Sequence, residues 1–231
     1  FVNPTQFGPN DDFRRYPRDE AGDLATCEKA GVDLVFIPPV EEMYPPESAT
    51  TVQVARLTET LCGPHRPGHF AGVTTVVTKL FNIVQPDAAY FGQKDAQQLA
   101  AIRRMVRDLD LPIEVVGCPT VREADGLAVS SRNAYLNQVQ RVQARCLYRS
   151  LSEAKALIER GETKATAVVG AMRRIIDEAG PARIDYISVV DPESMQPAER
   201  IERRVLIALA LRIGSTRLID NLQVDPRRAP D

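Results

Sequence analysis

Between residues 31 and 118 the chain alternates apolar runs with helical patterns, and no other feature of the sequence restricts its fold so tightly. "GVDLVFI" at 31–37 is short, apolar and β-branched and ends at Pro38-Pro39, which predicts a strand buried on both faces. A helix is predicted ahead of it over 19–30. "TTVVTKLFNIV" at 74–84 sets Val76, Val77, Leu80, Ile83 and Val84 at helical spacing, and Pro86 stops it. "AAYFG" at 88–92 predicts another buried strand. A helix opens at Lys94 with Leu99, Ile102, Val106 and Leu109 in one apolar stripe, and "IEVVGC" at 113–118 is the next strand. Strands joined through helices need crossover connections, and these give a parallel sheet.

After about residue 122 the rhythm changes. Two helical segments, over 138–160 and 164–179, lead to three consecutive strand patterns at 185–191, 204–214 and 216–222. Helices followed by successive strands predict a small α+β domain with an antiparallel sheet. The division is therefore drawn at 1–121 and 122–231. "PPVEEMYPPES" at 38–48 reads as a proline-rich loop near the sheet edge. The opening "FVNP" has the look of the tail of a buried strand, and Phe1 is not an initiator methionine, so the first domain is expected to lack an upstream strand and helix.

Charge and composition remove several functions. With 29 Lys+Arg against 31 Asp+Glu and no basic run, the sequence does not point to nucleic acid. The longest apolar run, "VLIALAL" at 205–211, is far short of the ~20 residues of a membrane span. Four widely spaced cysteines with no CxxC pair are expected to be reduced thiols of a cytoplasmic protein. No nucleophile elbow, P-loop or dinucleotide fingerprint occurs. "HRPGH" spaces His65 and His69 by four, but Pro67 and Gly68 argue against a helical metal pair and no third ligand accompanies them.

Three polar clusters carry the chemistry. In an open parallel sheet, ligands gather beyond the carboxyl ends of the strands, where "GQKDAQQ" at 92–98 falls. A helix N-terminus there offers free N–H groups and a positive dipole end, and Lys94 adds a full charge, which suits a phosphate. Asp95 either caps the helix or accepts hydrogen bonds from a ribose diol. Gln98, one turn beyond Lys94, suits a polar uncharged group. In "READGLAVSSRN" at 122–133, residues 123–126 read as a turn. The hydroxyls and guanidinium of "SSR" either grip phosphate oxygens or simply cap a helical turn. Asn3, Pro4 and Gln6 in "FVNPTQFG" follow a predicted strand end and are placed at the same rim.

Taken together, "FVNPTQFG", "RPGHFAGVTTVVTKLFNIVQPDAAYFGQKDAQQL" and "PTVREADGLAVSSRNAYL" resemble the pantothenate synthetases of the nucleotidyltransferase superfamily. The resemblance covers nearly the whole chain. It implies an α/β fold: a Rossmann-like parallel sheet, N-terminally truncated here, with a smaller C-terminal α+β domain acting as a lid, in a homodimer. The implied reaction joins pantoate to β-alanine through a pantoyl adenylate, with ATP as co-substrate and Mg²⁺. Matched residue by residue, Gln6, Gln98 and Asn3 correspond to the pantoate and β-alanine pocket. Gly92, Gln93, Lys94, Asp95, Val121, Val129, Ser130, Ser131 and Arg132 correspond to the ATP contacts, with Gly92 and Asp95 at the ribose and Val121 at adenine. Lys94, Ser130 and Arg132 correspond to the catalytic phosphate grip.

Three departures accompany the match. The family's HxGH motif is absent, so this 231-residue piece is expected to be impaired. Val129 replaces a methionine. Of the positions proposed to meet magnesium, which read Gly22, Asp23 and Thr26, only Asp23 has a ligating side chain. Another nucleotidyltransferase, or a nucleotide-binding remnant without activity, are the alternatives.

Overall fold

The computed structural model describes residues 1–9 and 11–226. Two sheets organise it: a parallel pair, β1 (Ala88–Gly92) with β2 (Glu114–Cys118), and an antiparallel meander of β3 (Arg183–Val190), β4 (Val205–Ile213) and β5 (Thr216–Val224) in the order 3-4-5. The α/β class, the parallel pairing and the separate α+β half agree with the sequence pattern.

Helix α3 (His69–Val84) and helix α4 (Ala96–Asp108) cover the parallel sheet. α3 starts several residues before its apolar periodicity becomes visible, behind Gly68 at φ +79. Phe70, Val73, Val76, Val77 and Phe81 recur at three- and four-residue steps, and most of them meet Ala101, Ile102 and Met105 of α4 in one core. Gly72 of α3 sits against the short 3-10 turn Pro4–Gln6, where a Cβ would lie 2.5 Å from the Thr5 carbonyl oxygen and 2.6 Å from the Gln6 nitrogen. Only glycine lets that turn approach the helix.

The second half is built the same way. Leu147, Leu151, Ala154 and Ile158 of α6 (Cys146–Glu159) and Val168, Met172 and Ile176 of α7 (Ala165–Glu178) make two apolar stripes. They pack on Ile207, Leu209, Leu211 and Ile213, the odd residues of β4. The even residues Leu206 and Ala208 point the other way, into the core of α3 and α4. A strand alternates faces at every residue, so β4 is apolar almost throughout because each face has its own core to fill.

Several expectations are corrected. Residues 31–37 form no strand: they follow α1 (Glu20–Lys29) as a turn and irregular chain, with Leu34 84% exposed and Val35, Phe36 and Ile37 also exposed. A run of this kind becomes a strand only when neighbours pair with it and cover it, and among the described residues none does. The opening residues 1–3 are not strand either. β1 forms where expected but is not fully buried, since Tyr90 is 69% exposed. Ile83 and Val84 at the end of α3, and Leu109 after α4, are exposed, and Met105 takes the buried place on α4. The helix predicted over 138–160 breaks at Arg145 into α5 (Gln138–Ala144) and α6, and the proline-rich loop contains one helical turn, α2 (Val40–Met43), that buries Met43.

The Gly72 contact sets a testable cost. Gly72→Ala is expected to destabilise the fold by about 1–3 kcal/mol in equilibrium urea unfolding, because backbone rather than a side-chain tip must give way. Gly170→Ala in α7, where the nearest atom is 3.9 Å away, is expected to stabilise by about 0.5–1 kcal/mol.

Candidate active site

A cavity of about 300 Å³ lies between the carboxyl end of β1 and the β4–β5 hairpin. Six cations line it, Arg15, Arg66, Lys94, Arg132, Arg212 and Arg217, against three carboxylates, Asp11, Asp12 and Asp95. The surplus of positive charge favours a polyanion. A smaller space of about 40 Å³ adjoins it, sharing Arg66, Lys94, Asp95 and Arg217 and adding His69, Gln98, Tyr186 and Asn221.

Lys94 is presented by a 3-10 turn, Gln93–Asp95, between β1 and α4. Its Nζ lies 3.9 Å from an Asp95 carboxylate oxygen. Asp95 holds the N-cap position of α4, yet its side chain makes no capping hydrogen bond. The capping alternative therefore fails, and the carboxylate lines both spaces instead. Both neighbouring glutamines line the smaller space, but Gln97 is buried and its amide is engaged, donating to the carbonyls of Leu57 and Thr60 and accepting from the Cys62 N–H. Gln97 thus ties the 57–62 segment to the wall of that space, and Gln98 is the amide left to meet a ligand.

Ser130 and Arg132 also line the cavity. The Ser130 hydroxyl accepts from the Arg132 backbone N–H, so it caps the turn Ser131–Tyr135 while lining the cavity. The Arg132 guanidinium is engaged in a fork with Asp12, at 2.9 and 2.8 Å. Burial raises the Asp12 carboxyl, but the Arg132 hydrogen bonds and charge outweigh it and hold it below the usual range. Arg66 and Asp11 form a parallel pair at 2.9 Å. Sequence reasoning missed Asp11 and Asp12, although the Asp-Asp dipeptide shortly after "FVNPTQFG" was a legible acidic signal.

The amino-terminal cluster sits one layer behind. Asn3 is buried: its amide donates to the Gly72 carbonyl and to Gln6 Oε1, and its Oδ1 accepts from Thr5 and from the Tyr44 hydroxyl. Gln6 does not line either space, but its carbonyl accepts from His69 Nδ1 at 2.8 Å. Gly92, Gln93, Val121, Val129 and Ser131 are exposed and lie outside both linings. Val121 and Val129 pair through their backbones across the 123–126 turn. Asp23 stands exposed on α1, and among the described residues no three His, Cys, Asp or Glu gather in a metal-binding group.

The residue most underrated by sequence is His69. Arg66 Nη1 donates to its Nε2 at 3.0 Å, which leaves Nδ1 carrying the proton given to Gln6. Burial, with the Arg66 charge beside it, lowers its pKa to about 4. The ring is therefore a neutral strut between Arg66 and Gln6. Its place directly after "RPG", at the start of α3, was the available signal.

A parallel α/β sheet with a cation-rich cavity at its carboxyl edge, closed by an antiparallel hairpin, defines a nucleotide- or phosphate-handling enzyme class. The family model described as pantoate–β-alanine ligase matches residues 1–223. The pantothenate synthetase of Moorella thermoacetica is 59% identical over 225 residues, spanning 97% of this chain and 80% of the relative. A crystal structure of pantothenate synthetase from Thermus thermophilus aligns with a TM-score of 0.93 at 50% identity, over 96% of this chain and 80% of that one. The Francisella tularensis ligase, solved with β,γ-ATP and β-alanine, aligns with a TM-score of 0.74 at 30% identity, over the whole of this chain and 79% of its own. The chain belongs to the pantoate–β-alanine ligase family.

His69 gives a pH test. Well above pH 6.5 the imidazole is neutral whether the chain is folded or unfolded. As pH falls from about 6.5 toward 4 the unfolded chain takes up the proton first, so the fold loses stability across that window, by on the order of 3 kcal/mol. An assigned His69 ring resonance titrating near 4, and a flatter pH dependence of unfolding in His69→Gln, are the expected results.

Proposed function

We propose that the protein ligates pantoate to β-alanine at the expense of ATP, through a pantoyl adenylate. The observation that carries this reading is the cavity whose cations come from both halves of the chain, Lys94 from the β1–α4 turn and Arg132, Arg212 and Arg217 from the second half. The family's solved member with β,γ-ATP and β-alanine supports the same substrates.

In the first step a pantoate carboxylate oxygen attacks the α-phosphorus of ATP; the bond to the bridging oxygen breaks and pyrophosphate leaves. Negative charge spreads over the transferred group and the leaving group. Lys94 and Arg132 stabilise it, because cations already in place act on charge as it develops. Arg132 reaches phosphate only by giving up part of its fork with Asp12, so Asp12 keeps the guanidinium oriented until the anion arrives. The Ser130 hydroxyl and the Asp95 carboxylate serve phosphate and ribose respectively. In the second step the neutral amine of β-alanine attacks the acyl carbon, AMP departs with the electron pair, and the amine proton passes to solvent or phosphate.

Gln98 holds pantoate from the smaller space. Gln6 and Asn3 contribute through the Asn3–Gln6 hydrogen bond and the His69 strut, which set the wall of that space. Mg²⁺, when bound, would be carried chiefly by the triphosphate and would offset its charge, since Asp11 and Asp12 are paired with arginines. The second half of the chain, drawn at 122–231, covers the nucleotide as a lid, with the Arg132–Asp12 pair as one of its links to the first half at the cavity.

Lys94→Ala is expected to lower adenylate formation at least ~10²-fold, measured as pantoate-dependent exchange of pyrophosphate into ATP. β-Alanine-dependent release of AMP, read in parallel, reports the second step. Turnover by the variant near that of the unaltered protein would refute the phosphate role of Lys94. Exchange that needs no pantoate would point to a different nucleotidyl transfer.

A further inference from the structure

The turn that presents Lys94 is held from the other half of the molecule. Asn221, on β5, donates one amide proton to the Gln93 carbonyl at 3.0 Å and the other to the Lys94 carbonyl at 2.8 Å. These two carbonyls belong to the peptide planes on either side of the Lys94 Cα. Each plane is rigid, so fixing both fixes the two backbone dihedrals of Lys94 and with them the direction of its Cα–Cβ bond. Asn221 is itself held. Its backbone N–H donates to Asp220 Oδ1 at 2.8 Å, and its carbonyl accepts from Arg122 Nη2 at 3.4 Å.

Arg122 and Asp220 form a buried fork at 2.7 and 3.0 Å, with the Asp220 carboxylate only 1% exposed. The guanidinium also lies over the Tyr148 ring at 4.2 Å and donates to the Gly126 carbonyl. A buried ion pair is a costly arrangement to assemble, and its geometry here ends on the Lys94 turn. None of Arg122, Asp220 or Asn221 carries a role in the reaction as derived above.

We infer that Asn221 is a positioning residue for Lys94, clamping the two carbonyls that flank it, and that the Arg122–Asp220 pair orients the clamp. The inference rests on the ligase reading only for the reaction in which Lys94 acts. Its consequence is that the second half of the chain, besides closing the cavity, aims the ammonium of the first. Because an error of about 1 Å in a charged group costs about 10²-fold, a loosened turn should be felt in catalysis more than in folding.

The test is a double-mutant cycle on the whole protein. Asn221→Leu keeps nearly the same shape and removes both donors without adding a charge, and is expected to lower kcat/KM for ATP at least about tenfold while the KM for β-alanine and the unfolding temperature change little. In a Lys94→Ala background the same substitution should cost less than about twofold, because the group it aims is gone. Asn221→Ser, which leaves one shorter donor, carries the same cycle should Asn221→Leu fail to fold. An equal loss in both backgrounds, or no loss in the unaltered background, overturns the inference.

The cycle is run in parallel on the Kd of a non-hydrolysable ATP analogue by calorimetry. A protein that binds the analogue with the expected coupling, yet forms no pantoate-dependent AMP, retains the clamp and loses the ligase reading. Failure to bind any nucleotide overturns both.

Discussion

The double burial of β4 is the constraint on which the other arrangements depend. Its odd residues fill the core beneath α6 and α7, and its even residues Leu206 and Ala208 complete the core of α3 and α4. One strand is thus a wall of two cores, so the parallel and antiparallel halves cannot be displaced without exposing apolar surface on one side or the other. β5 is hydrogen-bonded to β4 along its length, with Asn221 opposite Ala208. The position of Asn221 against the Lys94 turn, and of Arg217 and Thr216 at the cavity, follows from that register.

Polar links run along the same seam. Arg132 to Asp12, Asn221 to the 93–94 carbonyls and Cys62 to the Tyr186 hydroxyl all join residues more than a hundred positions apart. Arg217, part-buried at the seam, donates to Asp185 at 2.8 Å and approaches Cys62 Sγ at 3.6 Å. Pairs of this kind add little net stability, since desolvation consumes most of the attraction, but they fix orientation. Around the cavity that is what matters: Arg66 and Arg132 are each held by a carboxylate, while Lys94 has only the long 3.9 Å contact with Asp95. Of these three charges the ammonium is the least committed and the readiest to meet an incoming anion.

Much of the scaffold was legible because period decides it. β1, β2, α4 and the strand meander lie where the apolar spacing put them, and Lys94, Ser130 and Arg132 do share a cavity. Where the reading of 31–37 failed, composition was right for a strand, but a strand is defined by its partners, and composition names no partner. Gln97 and Gln98 are equivalent in the sequence; which one is swallowed by the 57–62 segment depends on where that segment passes. His65 and His69 prompted a metal question, whereas the relevant chemistry was the neutral ring wedged between Arg66 and Gln6, which needs the approach of a turn across Gly72.

The sequence by itself determined the alternation of elements, the α/β class and the chemistry stored at the strand-to-helix junction, because side-chain period and the dipole at a helix start are local properties. The tertiary structure alone decided that Asp11 and Asp12 neutralise Arg66 and Arg132, that β4 serves two cores, and that β5 reaches the peptide planes around Lys94. Each of these brings together groups distant in the chain, and such meetings are fixed by packing rather than by any nearby pattern of residues.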